Sequence, residues 1–158
     1  MELHPIGRIR TPYRDGAPHQ PRRGEGGDFR LELDAAWAPA LTGLDCFRYA
    51  YVLYLLDRAP APEPVVHPPW APEGLRVGLF ATRSPARPNP IGLSVVELLR
   101  IDGATVHTGP LDALDGTPLL DLKPYVRDLD TRPDADLGWL DDLPDREHLR
   151  LHVLGIPH

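Results

Sequence analysis

The 158-residue chain is long enough to bury one hydrophobic core, and its 42% hydrophobic and 25% charged residues are typical of a globular protein. Its net charge of −6 argues against indiscriminate coating of nucleic acid, its single cysteine excludes an intramolecular disulfide, and no apolar run approaches the roughly 20 residues of a membrane-spanning helix. The chain also starts without the apolar stretch of a signal peptide, so we expect a cytoplasmic protein of one domain, residues 1–158, without a membrane partner.

Seven segments carry the strand signal, which is period-2 alternation or a run of aromatic and β-branched residues bounded by Gly, Pro or Asp. In chain order they are 4–12, 29–34, 47–56, 75–82, 91–103, 105–114 and 117–124, and a weaker one follows at 148–154. Between the second and third, DAAWAPALTGLD predicts one or two helical turns with Asp34 as N-cap and Gly43 as stop. Cys46 is interpreted as an inert core thiol.

Two long segments predict irregular structure. Residues 14–28 are rich in glycine, proline and charge, and residues 57–74 hold six prolines. The remaining tail after Pro124 is acidic and loop-like. Short strands, turn signals and a single short helix favour an all-β fold, namely a small antiparallel β-barrel or a sheet curled on itself, with long Pro-rich loops.

The segment TRSPARPNPIG is a basic loop between two hydrophobic runs. Pro85, Pro88 and Pro90 fix the backbone, so the loop loses little entropy when it binds a ligand. Arg83 and Arg87 could clamp a carboxylate or a phosphate, or they could pair with local acids. The local charge is distinctive, because residues 76–100 hold four arginines and one acid whereas residues 101–158 hold five bases and twelve acids.

The segment LDALDGTPLLDLKPY combines acids with the only lysine of the chain. A turn is predicted at Asp115-Gly116, and period 2 places Asp121, Lys123 and Tyr125 on one face of the strand that follows. The carboxylates could cap backbone N–H groups, accept ribose hydroxyls or offset a cationic ligand. A metal site is not expected, because no His or Cys accompanies them.

Two long motifs, LRVGLFATRSPARPNPIGLSVVEL and GPLDALDGTPLLDLKPYV, closely resemble the signature of the TsaA-like family, whose tRNA-modifying members are called TrmO. IGRIRTPYR, PHQP and DADLGWL extend the resemblance to roughly residues 5–140. It implies a small β-barrel that forms a homodimer and binds S-adenosyl-L-methionine outside the Rossmann fold. The implied activity is N6-methylation of threonylcarbamoyl-adenosine at position 37, in the anticodon loop of tRNA.

The resemblance also implies site residues. The positions that match the cofactor contacts of the family are Pro18, His19, Gln20, Asp57, Arg58, Arg83, Leu93, Asp112, Ala113, Leu114 and Asp115. Asp57 and Arg58 depart from the His and amide that many relatives carry there. Arg87 and Asn89 are expected to bind substrate, since the modified base has a carboxylate of its own.

The acceptor nitrogen is a weak nucleophile, and its proton must be removed or polarised. We expect Asp115, Lys123 or Tyr125 to serve as the catalytic group. Two other classes of function stay open on the sequence alone. One is an adenosylmethionine-binding regulator, or a small-molecule methyltransferase, without a tRNA substrate; the other is a structural barrel without a cofactor.

Overall fold

The computed structural model describes residues 2–18, 26–69, 71–143, 145, 147 and 151. Its strands are β1 (Gly7–Arg10), β2 (Arg30–Leu33), β3 (Tyr49–Leu55), β4 (Val65–Val66), β5 (Val77–Gly78), β6 (Ile91–Asp102), β7 (Thr105–Thr108) and β8 (Pro118–Pro124). One α-helix, α1, spans Arg127–Asp130, and short 3-10 helices span Ala35–Leu41, Leu44–Cys46, Leu79–Ala81 and Gly138–Asp142.

Six of these strands form a closed antiparallel barrel in the order β1-β2-β7-β6-β3-β8, in which β8 returns to pair with β1. Closure leaves no unpaired barrel edge. The two remaining strands, β4 and β5, pair with each other in a separate ribbon. The predicted all-β barrel is confirmed.

The core follows from the alternation of the strands. Inward-facing side chains of successive strands are fully buried, among them Ile9, Leu31, Val52, Val96, Val106 and Leu119. Two residues of the β7–β8 loop, Leu111 and Ala113, are buried with them. This loop therefore crosses one end of the barrel and packs against its interior.

Three strand predictions were too long, the first because only Gly7–Arg10 of residues 4–12 is strand. Of residues 75–82 only Val77–Gly78 is strand, because Leu79 donates its N–H to Pro64 instead and the chain turns into a 3-10 helix that leaves Phe80 81% exposed. Residues 105–114 leave the sheet after Thr108, since Pro110 has no N–H to pair. The proline-rich segment 57–74, predicted as loop, supplies strand β4.

The helical predictions need two corrections. Residues 35–41 form a 3-10 helix with Pro39 inside, and Asp34 precedes it without a side-chain capping bond. Gly43 does end this segment, at a φ of +83° that favours glycine. The α-helix α1 lies in the tail that was predicted as loop, where the Asp130 carboxylate accepts the Val126 N–H at 2.7 Å.

Two smaller expectations also changed. Cys46 is exposed, not part of the core. Within the predicted strand 148–154 only Leu151 is described, and it is helical; the other residues lie outside the described part. Every helix among the described residues is too short or too polar to span a membrane.

Candidate functional site

One end of the barrel collects most of the predicted site positions. Because neighbouring strands run antiparallel, β1 and β3 end where β2, β6 and β8 begin. The β7–β8 loop, residues 109–117, crosses this end, and we call the whole region the site end. The loop that precedes β6 joins it, since the Leu56 N–H donates to the Pro90 carbonyl at 2.7 Å.

Asp112 lies over a pair of hydroxyl groups in the barrel wall. Its Oδ1 is 3.1 Å from Ser94 Oγ and 3.3 Å from Tyr54 Oη, and the two hydroxyls are 3.0 Å apart. Tyr54 is only 4% exposed. Burial, aided by the nearby charge of Asp112, raises the pKa of Tyr54 to about 12. Its hydroxyl therefore stays protonated at neutral pH and can orient the Asp112 carboxylate.

Asp115 ties the β7–β8 loop to the end of β1. Its N–H donates to the Tyr13 carbonyl at 2.7 Å, and its Oδ1 accepts the Thr11 N–H at 3.3 Å. Thr11 Oγ1 in turn donates to the Ala113 carbonyl at 2.9 Å. The predicted turn at Asp115-Gly116 is present, with Gly116 at φ +81°. These bonds fix the position of residues 113–115 relative to the end of β1.

Arg58 links three segments of the site end. Its Nη2 donates to the Asp115 carbonyl at 2.6 Å, its Nη1 to the Arg14 carbonyl at 3.3 Å, and its Nε lies 3.7 Å from Asp57 Oδ1. Asp57 and Arg58 are both exposed. The structure thus brings this pair directly beside Asp115.

The two arginines of the proline loop differ in their surroundings. Arg87 Nη1 donates to the carbonyls of Thr82 at 2.9 Å and Ser84 at 3.3 Å, and its guanidinium lies 5.6 Å from the ring centre of Phe80. It therefore shapes its own loop. Arg83 is exposed and has no hydrogen bond or ion pair with any described residue.

The other predicted residues divide into three groups. Two are exposed near the start of β6: Leu93 points outward and is 55% exposed, and Asn89 lies just before the strand. Two others, Leu114 and Pro18, are half-buried at the same end. His19 and Gln20 lie outside the described residues.

Lys123 and Tyr125 are not brought to Asp115. Lys123 pairs with Tyr51, five residues along β8 from Pro118, which is about 17 Å at the rise of a strand. Its Nζ contacts Asp121 Oδ2 at 2.7 Å, and the Tyr125 hydroxyl lies 3.2 Å from Thr131 Oγ1. The strand face that Asp121, Lys123 and Tyr125 were predicted to share therefore lies along β8, away from the site end.

Sequence reasoning missed several polar residues of the site end. Tyr54 and Ser94 were seen only as parts of strands, because their pairing with Asp112 depends on the register of β3 with β6. It also missed a concavity of about 340 Å³ beside Asp115, lined by Arg10, Arg14, Arg30 and Glu32 among others. The Arg-x-Arg of β1 and the Arg-x-Glu of β2 were the available signals. Among the described residues, no group of three or more His, Cys, Asp or Glu is placed to hold a metal ion.

Comparison with known protein families shows to which family the chain belongs. Residues 8–131 match the model of the tRNA-methyltransferase O N-terminal domain. The chain belongs to this family. An Escherichia coli member, named tRNA (adenine(37)-N6)-methyltransferase, is 36% identical over 93% of this chain and 67% of its own length. An Archaeoglobus fulgidus member, named S-adenosyl-L-methionine-binding protein, is 39% identical over 82% of this chain and 93% of its own length.

The fold agrees with solved structures of the tRNA-methyltransferase O family. The crystal structure of TrmO from Pseudomonas aeruginosa superposes with a TM-score of 0.72 at 34% identity, covering 87% of this chain and 62% of that one. A further A. fulgidus relative is 41% identical over 90% of this chain, but only 38% of its own length is covered. The chain thus spans between about two fifths and two thirds of these longer relatives.

Proposed function

We propose that this protein is an S-adenosyl-L-methionine-dependent methyltransferase that N6-methylates threonylcarbamoyl-adenosine at position 37 of tRNA. The observation that carries this proposal is the convergence of the family's motif positions at the site end. Arg58 bonds directly to Asp115, and Asp112 is held by Ser94 and Tyr54. The E. coli relative, of which the chain covers 67%, has a name that states N6-methylation of adenine 37 of tRNA.

The residues of the site end fit the cofactor chemically. The exposed guanidinium of Arg83 suits the carboxylate of the cofactor, the Asp112 and Asp57 carboxylates suit its hydroxyl or ammonium groups, and the exposed side chain of Leu93 suits its adenine. When bound, the cofactor supplies a methyl group on a positively charged sulfur. The protein's contribution is then to align the acceptor nitrogen and to exclude water.

Asp115 is the residue that we assign to the acceptor's proton. Its Oδ2 is 3.9 Å from Arg10 Nη1 and makes no hydrogen bond with a described residue, whereas Oδ1 is held by the Thr11 N–H. Oδ2 can therefore accept the proton that leaves adenine N6 when the new N–C bond forms. A catalytic role for Lys123 or Tyr125 remains a prediction, and both residues lie at the far end of β8.

Arg87 and Asn89 are assigned to the substrate. Arg87 Nη1 serves the loop, which leaves the N–H groups of Nε and Nη2 for an anion. The modified adenine carries a carboxylate that plain adenosine lacks. An arginine that binds this carboxylate would therefore select the modified nucleoside over plain adenosine.

A second candidate function is cofactor binding without a tRNA substrate. The name of the A. fulgidus relative, which is nearly as long as the aligned region, states binding alone. In that case the site end would bind the cofactor but would transfer no methyl group to tRNA.

We further propose that the protein is a cytoplasmic homodimer. Ile91, Leu93 and Val95 project from β6 with 39%, 55% and 47% exposure, next to the outward residues of β3 with which they pair. A partner subunit covering this apolar face would also border the cofactor position at Leu93. Sedimentation as a monomer, or fractionation of the cellular protein with membranes, would contradict these two statements respectively.

Calorimetric titration with S-adenosylhomocysteine tests the cofactor site. We expect one site per chain, with affinity weakened about tenfold or more in Arg83→Ala because a charge-assisted pair is lost. Arg127→Ala is the control, since Arg127 is also exposed but lies on α1. Absence of binding by the unmodified protein would overturn both candidate functions.

A further inference from the structure

A row of basic residues crosses four neighbouring barrel strands. The strand registers place Arg10 opposite Arg30, Arg30 opposite His107, and His107 opposite Arg100. We call these four residues the basic row. Adjacent strands lie about 4.8 Å apart, so the row extends about 14 Å around the barrel. The row cannot be recognised from the sequence, because its members lie far apart in the chain, on β1, β2, β7 and β6.

All four side chains point away from the core. The neighbouring residues Ile9, Leu31 and Val106 are fully buried, and successive residues of a strand face opposite sides. The row is therefore a feature of the outer surface, on a chain whose net charge is −6. Its acidic neighbours are Glu32 and Asp28 beside Arg30, Asp115 beside Arg10 and Asp102 at the end of β6.

Glu32 sets the orientation of two guanidiniums. It accepts Arg10 Nε at 2.7 Å and Arg30 Nε at 2.9 Å, one on each carboxylate oxygen. These contacts, with the Arg10 hydrogen bond the largest, lower the pKa of Glu32, so the carboxylate stays ionised. Binding through Nε leaves Nη2 of both arginines available to an external anion, whereas Arg10 Nη1 lies 3.9 Å from Asp115 Oδ2 and Arg30 Nη1 contacts Asp28.

The far end of the row is held in a similar way. Arg100 Nη2 lies 3.1 Å from His107 Nε2. Arginine is always protonated, so the histidine nitrogen accepts and the positive charge stays on the arginine. At the near end, the 340 Å³ concavity lined by Arg10, Arg14 and Arg30 reaches Asp115. The basic row thus begins at the proposed methyl-transfer site and runs away from it.

We propose that the basic row binds the phosphate backbone of the RNA substrate on one side of the target nucleotide. This inference rests on the proposed function for its partner. A single small anion would occupy the concavity alone, whereas three arginines spread over about 14 Å can contact several phosphates of one chain. Guanidiniums fixed through Nε present the planar donors that phosphate oxygens accept. Such contacts fix the position of the RNA and add no sequence preference.

The test measures binding of a fluorescein-labelled anticodon stem-loop RNA by anisotropy over a series of salt concentrations. The variants are Arg30→Gln, Arg100→Gln and the double variant, which leave the Arg10–Glu32 pair in place. Each lost phosphate contact is expected to weaken binding about fivefold at 0.1 M salt and to reduce the slope of log K against log salt by about 0.7. Arg127→Gln, which removes the same charge from α1, should change neither quantity.

The outcomes separate this inference from the proposed function. If the unmodified protein methylates tRNA and the double variant keeps its affinity and slope, the basic row is wrong while the enzyme assignment stands. If no methylation occurs but the double variant still loses affinity and slope, the row stands and the enzyme assignment fails. Failure of the unmodified protein to bind the RNA overturns the row. Retained S-adenosylhomocysteine binding in each variant excludes misfolding as the cause of a loss.

Discussion

At the scale of single residues, Tyr54 shows how a core position becomes part of a site. Its ring belongs to the hydrophobic core, while its hydroxyl reaches Ser94 and Asp112 at the site end. A buried hydroxyl without partners would cost roughly 1–3 kcal/mol, so these contacts offset the cost of burying it. The same side chain therefore serves packing and the orientation of a carboxylate.

The raised pKa of Tyr54 gives a pH-dependent stability. The folded value of about 12 exceeds the unfolded value of about 10, so the fold favours the protonated form. This contribution is fully present below about pH 10 and is lost as the pH rises through 12. Relative to Tyr54→Phe, the free energy of unfolding should fall by about 1 kcal/mol between pH 8 and pH 11, measured by urea unfolding. Equal pH slopes for the two proteins would contradict this.

At the scale of secondary-structure elements, the pairing of β3 with β6 explains the glycine of the NPIGLS motif. Gly92 lies opposite Tyr54, and the Cβ of any other residue would approach the Tyr54 ring to 2.2 Å. The aromatic ring covers the glycine and completes the packing of both strands. The motif position is therefore fixed by sheet packing as well as by proximity to the site.

Gly92→Ala should destabilise the protein by about 1–3 kcal/mol, because the ring must leave its rotamer or the strands must separate. Gly78→Ala is the control, since a Cβ there meets nothing within 4 Å and its φ of −59° suits alanine. Thermal unfolding of the three proteins measures the difference. A Gly92→Ala protein as stable as the control would refute the packing explanation.

The secondary-structure elements also show which structural features can be predicted from the sequence and which cannot. Alternation in β1 and β2, and the aromatic and β-branched composition of β3, predicted these strands, because both are local signals. The hydrophobic run LFA looked like strand but became a 3-10 helix, since its backbone partner is Pro64 in a segment that local patterns present as loop. Registers between distant strands set the Asp112 hydroxyl pair and the basic row, and no local pattern encodes them.

The motifs predicted residues that the structure places close together. Residues 57–58 and 112–115 were predicted together from resemblance, and the Arg58 contact with the Asp115 carbonyl joins them physically. Lys123 was proposed on chemical type alone, and the length of β8 carries it away from Asp115. Chemical type therefore identified candidate residues, but only the barrel determined which of them meet.

At the scale of the whole molecule, three features surround one end of a small barrel. The site end holds the motif residues, the outer face of β3 and of the first half of β6 is apolar, and the basic row crosses β1, β2, β7 and the second half of β6. Together they fit the proposed enzyme, with the cofactor beside a proposed subunit interface and the RNA along the basic row. Methyl transfer is the central claim on which this arrangement depends.

Mass spectrometry of nucleosides tests that claim most directly. Purified protein is incubated with S-adenosyl-L-methionine and tRNA that carries threonylcarbamoyl-adenosine, with tRNA lacking this modification as the control. We expect one methyl group on the modified adenine and none on the control, with the rate reduced about 100-fold or more in Asp115→Asn. Unchanged threonylcarbamoyl-adenosine, despite binding of the cofactor by the same preparation, would contradict the assignment.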